Sequence, residues 1–160
     1  MPLRLAVLNG PNLNLLGERE PEIYGSTTLA AVEDSCREFA GVIGAEVNFA
    51  QTNYEGMMVD WIQEARLATD ALIINPAGFS FHSIPVLDAL RAYPNPIIEL
   101  YISNIHARDE QHRHSIVSKV ATGVICGLGV YGYTVAMQAA ARMAGGLPDD
   151  LPTPIRIGPT

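Results

Sequence analysis

Hydrophobic positions along the chain switch repeatedly between two periods. Leu3 to Leu8 is a short apolar run of strand length. Thr28 to Ile43 then carries Leu29, Val32, Cys36, Phe39, Ala40 and Ile43 on one helical face, and Gly44 supplies a stop. Ala45 to Ala50 alternates Val47 and Phe49 with polar residues, as a half-buried strand does. Thr52-Asn53-Tyr54-Glu55 reads as a capping box ahead of a helix with an apolar stripe at Met58, Trp61, Ile62 and Ala65. Ala71 to Ile74 is a third, fully apolar strand. Ser83 opens a helix with Pro85 in its first turn, where the missing N–H is harmless. Ile97 to Ile102 and Ala121 to Cys126 are the fourth and fifth strands, and Gly127 to Ala144 closes as an Ala-rich helix.

Strand–helix alternation repeated five times predicts an α/β fold of three layers: a parallel sheet with helices on both faces. The expected strand order is the flavodoxin-like 2-1-3-4-5. Residues 1–146 form one domain in this reading. Residues 147–160, holding four of the eleven prolines, form an extended arm. In such a sheet ligands bind beyond the carboxyl ends of the strands, which selects the loops Asn9–Ser26, Thr52–Asn53, Asn75–His82, Ser103–Lys119 and Gly127–Gly132.

Composition narrows the partners. Apolar residues make up 48% and charged residues 17% of the 160, which excludes a disordered chain. Ten Lys and Arg against seventeen Asp and Glu leave a net charge of −7 and no basic run. That balance argues against nucleic acid and anionic membrane as partners. Cys36 and Cys126 both sit in apolar sequence and read as buried thiols in a reducing compartment. The N-terminal apolar run is too short for a signal peptide or a membrane span, so the expected location is the cytoplasm.

The first loop is the unusual one. Connections of this kind usually run about 2–6 residues, and longer ones tend to be lids or binding loops. It lacks the GxxxxGK[ST] arrangement of a phosphate loop. It does carry Arg19 and Tyr24. A guanidinium at ~4 Å in an effective dielectric of ~20 supplies up to ~4 kcal/mol, about three pK units, enough to make a phenol a general base near pH 7. The same pair also fits a surface Arg beside a half-buried Tyr. The loop Asn75 to Ser83 leads into a helix N-terminus able to receive an anion, though Ser83 alone reads as a cap. His106, His112 and His114 follow a His-x5-His-x-His spacing that is not a zinc pattern and fits a pocket rim or subunit contact better.

Taken together, these stretches resemble the type II 3-dehydroquinate dehydratases. The matching blocks are Leu8 to Gly25 (LNGPNLNLLGEREPEIYG), Val59 to Ala65, Ile73 to Pro76, Ile102 to Arg108 and Gly123 to Gly129. The resemblance implies a hydro-lyase that removes water from 3-dehydroquinate, or a related carboxylated cyclic ketone, through an enolate. It implies no metal, no organic cofactor, and a homo-oligomer, either a trimer or a dodecamer built from four trimers. By the same resemblance Tyr24 is the base that takes the proton alpha to the ketone, and Arg19 keeps it reactive. Asn12 positions a water at the enolate oxygen. Asn75, Ile102 and Ser103 hold the substrate carboxylate, Asp88 reaches into a neighbouring subunit's site, and Glu99 orients the acid.

The resemblance breaks on one side of the pocket. Tyr101 stands where the family has its histidine acid. Phe81 stands where a histidine contacts the substrate hydroxyls, with His82 displaced by one residue. His112 replaces an arginine, and Ala77-Gly78 reverses a Gly-Ala pair. Three readings follow: a dehydratase with Tyr101 as its acid, a lyase or isomerase on a less hydroxylated keto-acid, or a silent ligand-binding homologue. A phosphoreceiver shares the architecture but needs acidic residues where this chain has Leu8-Asn9-Gly10. A flavin-binding protein is the other such candidate, and it would be coloured.

Overall fold

The computed structural model of the chain describes residues 1–146. The expected arm, 147–160, lies outside the described residues. Five strands, β1 (Leu3–Asn9), β2 (Ala45–Gln51), β3 (Ala71–Asn75), β4 (Ile97–Tyr101) and β5 (Gly123–Cys126), form one parallel sheet in the order β2-β1-β3-β4-β5. The helices are α1 (Pro21–Tyr24, a single turn), α2 (Leu29–Ile43), α3 (Glu55–Ala68), α4 (Ile84–Arg91) and α5 (Gly132–Met143). The predicted flavodoxin-like order is the one observed.

Alternation along the strands divides the core in two. Leu5, Val7, Ile73 and Leu100 face α2 and α5, packing on Val32, Cys36, Ala136 and Met137. Ala6, Leu8, Leu72 and Ile74 face α3 and α4, packing on Met58, Ile62, Val86 and Leu90. Strands β3 and β4 are buried on both faces, which is why Ala71 to Ile74 reads as an unbroken apolar run and β4 is apolar but for the buried Glu99. Edge strand β2 alternates instead.

Four local expectations change. Thr52 does not close a capping box: its Oγ1 accepts from the Tyr54 N–H at 3.0 Å in a tight turn, while Glu55 Oε2 accepts from Ser83 Oγ at 2.6 Å. Helix α3 therefore starts without a side-chain cap. The last helix begins at Gly132 and not Gly127, because Gly127 and Gly129 take left-handed φ values of 85° and 62° and turn the chain first. The fifth strand is shorter than expected, beginning at Gly123. It lies at the sheet edge, so Cys126 is only half-buried, whereas Cys36 is buried and its thiol is pushed up to about 12 by burial. No helix among the described residues is long and apolar enough to cross a membrane.

Candidate active site

One cavity opens at the carboxyl ends of β1, β3 and β4. Its floor is set by close backbone packing. The Gly10 N–H donates to the Asn75 carbonyl at 2.8 Å, and a Cβ on Gly10 would lie 2.3 Å from the Pro76 carbonyl oxygen, so only glycine fits. Asn12 follows in the left-handed region at φ 68°, which asparagine tolerates better than most residues. Its N–H donates to Asn53 Oδ1 at 2.9 Å, and Gln51 Nε2 donates to the same oxygen at 3.1 Å. The backbone of Asn12 is thus clamped, while its side-chain amide has no partner among the described residues and lines the cavity.

Arg19 and Tyr24 enter from the same loop. Glu20 between them adopts a left-handed φ of 44°, a strained conformation for a residue with a long side chain, and pairs with Arg19 at 3.0 Å. Pro21 then starts the single turn α1 that ends at Tyr24. The Arg19 guanidinium lies 5.5 Å from the Tyr24 ring centre. A second guanidinium, Arg108, lies at the same 5.5 Å and donates to Tyr24 Oη at 2.8 Å. Sequence reasoning gave Arg108 no role. Its signal was its place in the loop beyond β4, at the end of the matching block Ile102 to Arg108.

The opposite wall is made differently. Tyr101 is buried, and its hydroxyl donates to Glu99 Oε2. Ser115 and Ser118 also donate to Glu99, each at 2.5 Å, so this fully buried carboxylate is held by three hydroxyls. Burial first, and the neighbouring Glu99 charge second, push the Tyr101 phenol far above its ordinary range. Glu99 itself does not line the cavity but stands behind Tyr101. Phe81 forms the next part of this wall. His112 packs edge-on against it, ring centres 5.5 Å apart and planes at 80°. His112 Nδ1 donates to Asp109 Oδ1 at 2.6 Å.

Asn75 lines the cavity from below. Its Nδ2 donates to Tyr133 Oη at 3.0 Å, and Tyr133 donates on to Asn9 Oδ1 at 2.7 Å, a buried chain that fixes the amide. Tyr133, which the sequence placed only within the Ala-rich helix from Gly127 to Ala144, anchors this cavity-lining amide, a contact the pattern did not reveal. Ile102 and Ser103 line the cavity as well, and Ser103 Oγ has no partner among the described residues. His82 does not: it is exposed, with Nδ1 2.9 Å from the Gly78 carbonyl oxygen. Asp88 is exposed on α4, 3.6 Å from Arg91, and does not line its own chain's cavity. Among the described residues no three His, Cys, Asp or Glu side chains are grouped to hold a metal. His114 pairs with Glu110 at 2.7 Å instead.

The family model for class II dehydroquinases matches residues 3–141. A 3-dehydroquinate dehydratase of Streptomyces avermitilis is 52% identical over 141 residues, covering 88% of this chain and 89% of that one. A catabolic 3-dehydroquinase of Verticillium alfalfae is 50% identical over 142 residues, covering 89% and 95%. Among solved structures, the type II dehydroquinase of Propionibacterium acnes superposes with a TM-score of 0.85 at 43% identity, covering 89% of this chain and 98% of that one. A 3-dehydroquinate dehydratase-like protein of Bifidobacterium longum superposes with a TM-score of 0.67 at 33% identity, covering 88% and 96%. The chain belongs to the class II dehydroquinase family.

Proposed function

We propose that this chain is a hydro-lyase acting through an enolate on a carboxylated cyclic ketone of the 3-dehydroquinate type. The observation that carries the reading is Tyr24 Oη, held at 2.8 Å by Arg108 inside a cavity that also presents Asn12, Asn75 and Ser103. Arg108 aims a charge-assisted hydrogen bond at that oxygen. Tyr24 takes the proton alpha to the ketone, and the C–H electrons become the enolate. The unpartnered Asn12 amide is the group that supports the enolate oxygen, directly or through a water. Asn75, Ile102 and Ser103 receive the carboxylate. In heavy water, wild-type protein is expected to place deuterium alpha to the ketone of 3-dehydroquinate, and Tyr24→Phe is expected not to. A wild-type protein that exchanges nothing refutes the reading.

A second reading keeps this chemistry and changes the ring. It is favoured by the wall of Phe81 and Tyr101, which offers a bound hydroxyl no free partner. Each buried polar group left unpaired costs about 1–3 kcal/mol. On this reading 3-dehydroquinate is a poor substrate, with kcat/KM below about 10⁴ M⁻¹s⁻¹. A larger value, followed through the near-ultraviolet absorbance of the enone product, removes it. The proposal includes a homo-oligomer: Asp88 lies outside its own chain's cavity, and the family resemblance assigns it to a neighbouring subunit's site. A monomeric mass by light scattering at micromolar concentration counts against that part.

A further inference from the structure

Elimination of water needs a proton for the departing hydroxyl as well as a base, and the cavity can be searched for its source. Arginine does not release protons in proteins, and amide groups and serine hydroxyls are not general acids in the working pH range. Tyr24 is committed as the base. Tyr101 lines the cavity, but its proton is directed at Glu99, behind the wall. One ionisable group of suitable chemistry remains.

We propose that His112, oriented by Asp109, is the general acid of this enzyme. The inference rests on the enolate reading above. One oxygen of Asp109 accepts both the His112 backbone N–H at 3.1 Å and its ring Nδ1–H at 2.6 Å, and the edge contact with Phe81 fixes the plane of the ring. The other ring nitrogen, Nε2, has no partner among the described residues, and the residue lines the cavity. An imidazole with one nitrogen on a carboxylate and the other free is the arrangement that presents a proton to a substrate. The balance closes. Tyr24 gains the alpha proton and the enolate forms. The enolate pair then makes the C=C bond, the C–O bond breaks, and the leaving oxygen takes the proton from Nε2 and departs as water. Tyr24 ends neutral by gaining a proton and His112 ends neutral by losing one, and exchange with solvent restores both. Phe81 leaves no hydrogen-bonding competitor beside the ring. The acid has thus moved from the end of β4 to the loop that follows it.

The test separates the two half-reactions. Purified enzyme is given 3-dehydroquinate in heavy water, and both alpha-deuterium incorporation and enone formation are followed. His112→Asn is expected to lower enone formation about 100-fold or more while keeping most of the alpha-deuterium exchange. Tyr24→Phe is expected to lose both. His112 is partly exposed, so folding is not the issue, and circular dichroism confirms it for the variant. Exchange and elimination falling together in His112→Asn, or neither falling, overturns the assignment. So does a loss of elimination in Tyr101→Phe as large as in His112→Asn, which returns the acid to Tyr101. Wild type that exchanges but does not eliminate also overturns it while sparing the base. Wild type that does neither overturns the enolate reading and the acid with it.

Discussion

On the side of the cavity supplied by the loop after β1, Tyr24 stands half-buried with a guanidinium 5.5 Å from each of two directions. On the side supplied by the end of β4, Tyr101 is buried against a carboxylate that three hydroxyls hold. The same phenol is thus placed in opposite fields. Two cations flank Tyr24, whereas burial and the Glu99 charge favour the protonated form of Tyr101. One side carries the proposed base and a strained Glu20. On the other, the Tyr101–Glu99 pair is fully hydrogen-bonded. Residue type alone therefore assigns no role in this cavity; the sign and burial of the neighbours do.

Breaking the reactive side has the largest effect. Tyr24→Phe removes the proposed base, so turnover is expected to fall about 10²–10⁴-fold with the fold intact. Near wild-type turnover would return the base role to another group. Arg108→Ala removes a charge-assisted hydrogen bond worth about 1.5–3 kcal/mol, or roughly 10- to 150-fold in kcat/KM. If Arg19→Ala costs far more than Arg108→Ala, the geometry around Oη misidentifies the dominant cation.

Breaking the satisfied side tells against stability instead. Tyr101→Phe leaves Glu99, with no solvent exposure, short of one of its three donors. The expected cost is about 1–3 kcal/mol in urea unfolding. An unchanged midpoint would mean that the two serines satisfy the carboxylate unaided.

The fold was legible because burial on both faces writes β3 as a continuous apolar run and β4 as an apolar one broken only by Glu99, and edge exposure writes β2 as an alternation. What failed was local competition. Thr52 and Glu55 have the spacing of a capping box, but Tyr54 and Ser83 take their oxygens first. Of the site, Arg19 and Tyr24 were legible as a pair on one long loop, and Asn12 only through the family resemblance. Arg108 was not, since it meets Tyr24 across 84 positions and no spacing announces such a pair. The histidine cluster read as a rim. Its Asp109–His112 pair becomes visible only when the turn wraps both groups onto one oxygen.

Alkali sharpens the contrast. Burial pushes the Tyr101 and Tyr133 phenols above their ordinary value, so the folded state keeps those protons where the unfolded chain loses them. The unfolded chain then binds fewer protons, and stability falls as pH rises past about 10. The slope approaches about 1.4 kcal/mol per pH unit for each such group. Urea midpoints between about pH 9 and 11 should show it, with a shallower fall in Tyr101→Phe. An identical slope in that variant would place the loss elsewhere, with Tyr133, the similarly raised Tyr93 and the buried Cys36 thiol as the candidates.

The smallest effect lies at the seam between the two sides. Ala77 adopts a left-handed φ of 48°, where an L side chain costs about 1–2 kcal/mol and glycine nothing. Gly78 beside it has no such need, and a Cβ there would meet only Pro11 Cγ at 3.9 Å, ordinary contact. Ala77→Gly relieves strain but loosens the unfolded chain by about 0.4–1 kcal/mol. Gly78→Ala stiffens the unfolded chain by a similar amount. In the double variant the two entropic effects cancel, and the relieved strain remains. A gain of about 1 kcal/mol, or roughly 2–4 °C in Tm for a chain of this size, is expected. Each single change separates the contributions: Gly78→Ala alone should stabilise, and Ala77→Gly alone should be close to neutral or mildly stabilising. A double variant that melts lower than wild type would show that the Ala77 methyl packs well enough to repay its backbone. Because the Ala77 N–H donates to Asn75 Oδ1 at 3.3 Å, kcat/KM measured alongside Tm shows whether that strain also holds Asn75 against the substrate.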